Sequence, residues 1–180
     1  NIAATLSLDT AQGILKDKFK FTLPASLKGN ASLVLNIRGN APIQENFQVS
    51  GYLDIISAFV KPDKFPSSLE DINGRVEFSQ NQVRWKGLNF KYSGISYKTS
   101  GSLINFKSPN VQLALKSNDL SLDSNFTVNN SLVTLVKLEG KYLNSELYVT
   151  GNIDTSAPSR LETDLKGELN IEAQDLKKLF

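Results

Sequence analysis

The stretch SYKTSGSLINFKSPNVQLALKSNDLSLD, residues 96–123, decides the fold. Tyr97, Thr99, Gly101 and Leu103 alternate with Lys98, Ser100 and Ser102. A second run spans Val111 to Leu115, and Leu120 with Leu122 begins a third. Period two is the signature of a strand with one apolar face. The turn sequences KSPN (107–110) and KSND (116–119) leave room only for tight connections, which join antiparallel neighbours. Gly101 falls on the apolar side, where a packed strand would place a large residue.

The same alternation extends both ways. Ile2, Ala4, Leu6 and Leu8 open the chain; Phe19, Phe21 and Leu23 follow, then Leu33, Leu35 and Ile37. Further runs are Phe47 to Ile55, Ile72 to Phe78, Val83 to Trp85, Leu88 to Tyr92, Phe126 to Val128, Leu132 to Tyr142, Leu147 to Ile153 and Leu161 to Ala173. Turn residues at 79–82, 92–94, 129–131, 143–145 and 155–159 separate them. Helical pattern is confined to TAQGILKD (10–17) and AQDLKKLF (173–180). The segment 57–71, with two prolines and paired serines, reads as a loop between strand groups. The expectation is an all-β, long curved antiparallel sheet, a β-gutter or taco-like half-pipe, with one or two short helical turns. It forms a single β-rich section over 1–180.

A recurring unit, apolar–x–Gly–x–apolar, places Gly51, Gly74, Gly101, Gly140, Gly151 and Gly167 on the apolar faces. Its copies are irregularly spaced, so it reads as recurring strand chemistry and not a repeat of fixed length. Such glycines let a long strand bend, or leave room against a neighbour. They are the candidate curvature positions, and a bent sheet makes a groove.

Composition narrows the chemistry. The 180 residues hold 20 basic and 18 acidic side chains, a net charge of +2, with no basic block to favour nucleic acid. Cysteine and histidine are absent, which removes thiol catalysis, disulfides, imidazole metal ligands and serine–histidine machinery. Glu70, Asp71, Asp119 and Asp123 lie in loop or turn sequence as solvated acids. Lys18, Lys20, Lys98, Lys116 and Lys141 fall on polar positions that solvate faces and protect edges. No catalytic, cofactor-binding or metal site is expected, and the chain reads as no enzyme. Trp85 shares a face with Val83 and reads as a core or groove-lining ring. The first residues already alternate, so the chain reads as a section of a longer protein.

Three features together resemble the AsmA-like family of bridge-like envelope proteins. One is Ile-x-Gly-x-Val at Ile72 to Val76. Another is the alternating run to Gly101, followed by Pro109, Val111, Leu113 and Leu115. The third is the closing LNIEAQDLKKLF. The resemblance covers roughly residues 45–180. It implies a gutter-shaped sheet in the periplasm of a diderm bacterium, anchored to the inner membrane through segments outside this stretch. It also implies carriage of phospholipid, or another acyl lipid, on an apolar concave face between the two membranes.

On that reading, acyl chains lie against Val49, Leu53, Val76, Phe78, Trp85 and Ile95. They continue over Leu103, Leu113, Leu147, Val149, Leu165 and Leu169. Two other readings stand beside it: a periplasmic scaffold that assists outer-membrane protein assembly through its strand edges, and a closed β-sandwich adhesion or binding module. Self-association and envelope protein partners fit the same pattern.

Overall fold

Alternation over ten or more residues with β-branched and aromatic side chains produces long strands, and their short turns lay each beside the last. A computed structural model describes residues 1–20, 22–39, 48–64, 66–156 and 162–176. The chain is all-β, with eleven strands in an antiparallel sheet whose spatial order is their sequence order. They are β1 (Ile2–Ser7), β2 (Ala25–Arg38), β3 (Gln48–Pro62), β4 (Leu69–Ser79), β5 (Gln82–Tyr92), β6 (Ile95–Ile104), β7 (Asn110–Lys116), β8 (Leu120–Asn129), β9 (Leu132–Tyr142), β10 (Ser145–Asp154) and β11 (Glu162–Asn170). Two helices accompany them, α1 (Leu8–Phe19) and α2 (Ala173–Leu176). The chain divides into two compact units, Asn1–Lys98 and Thr99–Phe180, with the division inside β6.

Several expectations change in detail. Leu8 starts α1 and Phe19 ends it, so neither continues a strand; residues 22–24 are not strand, and Phe21 lies outside the described residues. The helix is longer than the 10–17 pattern suggests because Ser7 donates to the Asp9 carboxylate at its start and Lys16 and Lys18 close its last turn. The loop expected over 57–71 is shorter: β3 runs on to Pro62 and β4 begins at Leu69. Ser57 and Asp71, at φ 48° and 51°, absorb the irregularity as bulges inside the strands. The runs Val83–Trp85 and Leu88–Tyr92 are one strand, β5, whose phase slips at Gly87, φ 73°. At the far end Ala173 belongs to α2, not to β11; Phe47 and Leu161 lie outside the described residues.

In the first unit, α1 is pinned to β2. The Gln12 side chain donates to the Ala25 carbonyl at 2.5 Å and accepts from the Leu27 amide at 3.0 Å. Both lie in the first part of β2, which β1 does not reach, since β1 pairs only with Asn30 to Leu35. One amide side chain thus stands in for a missing strand.

In the second unit, α2 is held by Asp175, only 3 % exposed. Its carboxylate accepts from the Asn144 amide at 2.9 Å and the Ser145 hydroxyl at 2.8 Å, tying α2 to the β9–β10 turn. Burial pushes this carboxyl up, but the hydrogen bonds from Ser145 and Asn144 together outweigh it and hold the group below its ordinary range.

A fixed repeat is present after all. The boundaries of β5 and β9, and of β6 and β10, are fifty residues apart, as are the last residues of β4 and β8. At that displacement Val83, Leu88, Lys91, Tyr92, Gly101, Leu115 and Lys116 recur as Val133, Leu138, Lys141, Tyr142, Gly151, Leu165 and Lys166. The bulge recurs too, just beyond the paired residues Val76 and Trp85 in one hairpin and Phe126 and Leu135 in the other. Counting glycines hides this repeat, because Gly74 and Gly140 have Ser124 and Phe90 at the equivalent positions.

Candidate functional site

Cross-strand register sorts every side chain to one face. In the first unit, successive opposed residues run Ile2, Leu35, Gly51, Phe78 and Val83; beside them run Ala4, Leu33, Leu53, Val76 and Trp85. Ile37 and Val49 form a further pair. Of the expected lipid-facing residues, Val49, Leu53, Val76, Phe78 and Trp85 therefore share one apolar surface, all half-buried. Beyond the Gly87 bulge, Leu88 comes to the same side, its Cδ2 2.9 Å from where a Cβ on Gly74 would stand. Phe90 then stacks on Tyr97, ring centroids 5.4 Å apart. Ile95, two residues before Tyr97, lies at the start of β6 and is exposed.

The second unit repeats the pattern. Leu113, Ser124, Leu138, Val149 and Gly167 stand in one row across five strands. Leu115, Leu122, Gly140, Leu147 and Leu169 stand in the next. Leu165 faces Gly151, which in turn faces Leu135. Leu103 is half-buried in β6. The register brings Leu113, Leu147, Val149, Leu165 and Leu169 onto a single surface.

Nothing among the described residues covers either surface. Among the described residues the buried apolar ones are two alanines, Ala31 and Ala58, and no large side chain is fully buried. Leu165 and Leu169 remain 45 % and 62 % exposed. Contiguous apolar surface of this kind marks a binding face.

The glycines do more local work than leaving gaps. A Cβ on Gly51 would stand 2.1 Å from the Val34 carbonyl oxygen and 2.9 Å from the Phe78 ring; one on Gly167 would stand 2.2 Å from the Tyr148 oxygen. Here the neighbouring backbone approaches too closely for any side chain. Gly74 and Gly151 have φ of 138° and 135°, a region that favours glycine. Gly140 has only ordinary neighbours at 3.7 Å and beyond. Gly101 lies within β6, as its alternation requires.

The opposite faces are charged. In the first unit Arg75 makes a two-toothed pair with Asp54 at 2.6 and 2.8 Å and lies 3.9 Å over the Tyr52 ring. That hydrogen bond holds the Asp54 carboxyl below its usual range. In the second, Lys137 sits between Asp123 at 3.0 Å and Glu139 at 3.2 Å, and Lys141 pairs with Glu146 at 3.1 Å. A hollow of about 560 Å³ opens on this charged side beside Asp123, Glu139, Lys141, Glu146 and Glu168. An acyl chain has no place there, so the uncovered apolar faces, not this hollow, form the candidate site.

Sequence reading missed Leu33, Leu35, Leu88, Phe90, Leu122, Phe126, Leu135 and Leu138 as lining residues. The signal for three of them, Leu88, Leu135 and Leu138, is a three-residue step, Trp85 to Leu88 and Leu135 to Leu138, where a bulge keeps two apolar side chains on one side. Glu70, Asp71, Asp119 and Asp123 are not brought together, and Asp71 is instead paired with Lys91 at 2.7 Å. Among the described residues no group of three or more metal-binding side chains occurs, and no helix is long and apolar enough to cross a membrane. Comparison with protein-family profiles, with curated proteins and with solved structures returned no match.

Proposed function

We propose that this chain binds phospholipid, or another acyl lipid, along its apolar faces, as a non-catalytic section of an AsmA-like bridge between the membranes of a diderm envelope. The observation that carries the reading is the pairing of a contiguous apolar surface in each unit with the absence, among the described residues, of anything that covers it. Each acyl methylene removed from water contributes about 0.8 kcal/mol. Contacts of that kind are spread along the surface and carry no directional bonds, so a bound chain can shift position at little cost. Headgroups remain in water at the margin of the apolar surface.

The experiment is lipid extraction and mass spectrometry of the purified chain, alongside Val149→Glu and Leu165→Asp. Both positions are part-exposed on the apolar surface, so both variants are expected to fold. Loss of co-purifying acyl lipid in the variants supports the proposal. Undiminished loading in folded variants rejects it.

The scaffold reading, in which a client strand adds to an edge, draws on the outer edge of β11, which no other described strand pairs. Site-specific crosslinkers separate the two: a lipid section captures lipid from positions on the apolar surface, and a scaffold captures polypeptide from β11. The closed sandwich has no matching feature, since its filled interior would bury large side chains that are part-exposed in both units.

A further inference from the structure

The fifty-residue displacement lets one place on the apolar surface be compared in both units. In the first unit β5 carries Leu88, Asn89, Phe90, Lys91 and Tyr92; in the second β9 carries Leu138, Glu139, Gly140, Lys141 and Tyr142. Leucine, lysine and tyrosine recur, so the frame is kept. On the apolar side only the middle residue changes. Phe90 stacks on Tyr97, both half-buried, and two rings fill the place. Their counterparts are Gly140 and Leu147, directly opposed across β9 and β10. Gly140 stands at the centre of a row that runs Leu115, Leu122, Gly140, Leu147, Leu169. Among those leucines it forms a pit one side chain wide.

The backbone does not ask for this glycine. Gly51 and Gly167 are needed because neighbouring backbone comes too close, and Gly74 and Gly151 because their φ is positive. Gly140 has neither constraint. A Cβ there would meet only the Leu147 side chain at 3.7 Å and the Leu122 Cδ1 at 3.9 Å. A glycine inside a strand weakens it. One kept without a backbone reason, where the other copy has a ring, points to a use for the space above it.

We infer that the pit over Gly140 seats one acyl chain, and that the first unit has no such seat because Phe90 and Tyr97 fill it from within. This seat rests on the acyl-lipid reading above and gives that reading its point of tightest contact. Leu122 and Leu147 bound the pit across the strands, and Leu138 and Tyr142 bound it along β9. The only polar group among the four side chains is the Tyr142 hydroxyl. A polar ligand placed there would give up its bonds to water without return, whereas a methylene chain gains by burial. Elsewhere on the surface the leucines stand level and a chain can shift. At Gly140 it drops below their level and is held. Gly140 is thus a specificity-determining residue: its missing side chain decides which unit retains lipid.

The test is calorimetric binding of lauroyl lysophosphatidylcholine, below its micelle concentration, to the full 180-residue chain. Wild type should bind it. Moving the two rings into the second unit, G140F/L147Y, should weaken binding by roughly tenfold or more, as contact with about two methylenes is lost. V128F controls for bulk alone: it adds a ring to the same unit at the counterpart of Phe78, and it should leave binding unchanged. The reverse transfer, F90G/Y97L, should open a seat in the first unit and add a bound chain. Circular dichroism checks that each variant is folded, and F90G/Y97L decides the matter if G140F/L147Y is not. Full affinity in folded G140F/L147Y, an equal loss in V128F, or no added chain in F90G/Y97L would each overturn the seat. Those results leave the acyl-lipid reading standing, because wild type still binds. A wild type that binds no lauroyl chain would reject that reading, and the seat with it.

Discussion

Phe78 lies across Gly51, its ring 2.9 Å from the point a Cβ would occupy on the opposed strand. The aromatic ring thus roofs a position that has no side chain of its own, a device that restores packing over a strand glycine. Behind Gly51 the Val34 carbonyl blocks any substituent. Gly51→Ala is therefore expected to destabilise the first unit by about 2 kcal/mol. Gly140→Ala, with ordinary contacts, is expected to leave the second unit unchanged or to stabilise it by about 0.5 kcal/mol. Urea unfolding of both variants checks the contrast; equal effects would refute this account of the glycines.

Leu143 occupies the β9–β10 turn at φ 54°, a conformation costly for a large side chain. Its counterpart fifty residues earlier is Ser93, φ 50°, followed by Gly94 at φ 80°. Leu143→Asn should relieve that strain and raise stability by about 1 kcal/mol. A thermal melt reads the gain, and an unchanged or lower midpoint would show that the leucine's contacts outweigh its backbone.

Asp175 titrates below its ordinary value of 3.8. A depressed carboxyl stabilises the fold above its unfolded value, and that contribution is lost as pH falls through the folded value. Docking of α2 should thus be intact at neutral pH and fail only in strong acid. The Asn144 amide proton, which donates to Asp175, should report the change in an NMR titration with a midpoint below 3.8. In Asp175→Asn that titration should disappear.

Leu169→Ala and Leu165→Ala should each cost less than about 1 kcal/mol in the absence of lipid, where a buried leucine costs about 2–5 kcal/mol. Their side chains are already about half in water, so there is little burial to lose. Denaturant titration with and without a short-chain phospholipid measures this, and the cost should rise once the lipid is present.

Strand identity was legible because period two needs no tertiary information: β7, β9 and β10 fall where the alternation of Val111–Leu115, Leu132–Tyr142 and Leu147–Ile153 places them. Alternation failed where local chemistry overrode it, as at Phe19, held in α1 by its start signal at Ser7 and Asp9. It also failed at bulges. The irregularities at Ser57 and Asp71 made 57–71 look like one loop, although strand continues on both sides. The face of Trp85 could be read, but not that Leu88 shares it, because a positive φ at Gly87 is invisible in a hydropathy pattern. That no described residues form a covering layer emerged only from exposure: the same alternation would serve a sandwich with a filled interior.

The fifty-residue displacement has a consequence for how this architecture changes length. One step spans four strands, an even number in an antiparallel sheet. A tandem duplication or excision of one step therefore returns the chain travelling in its original direction, at an edge of the same kind. Growth by whole steps reverses no strand and brings no side chain to the wrong side, whereas a gain or loss of a single strand would leave the chain at the opposite end of the sheet.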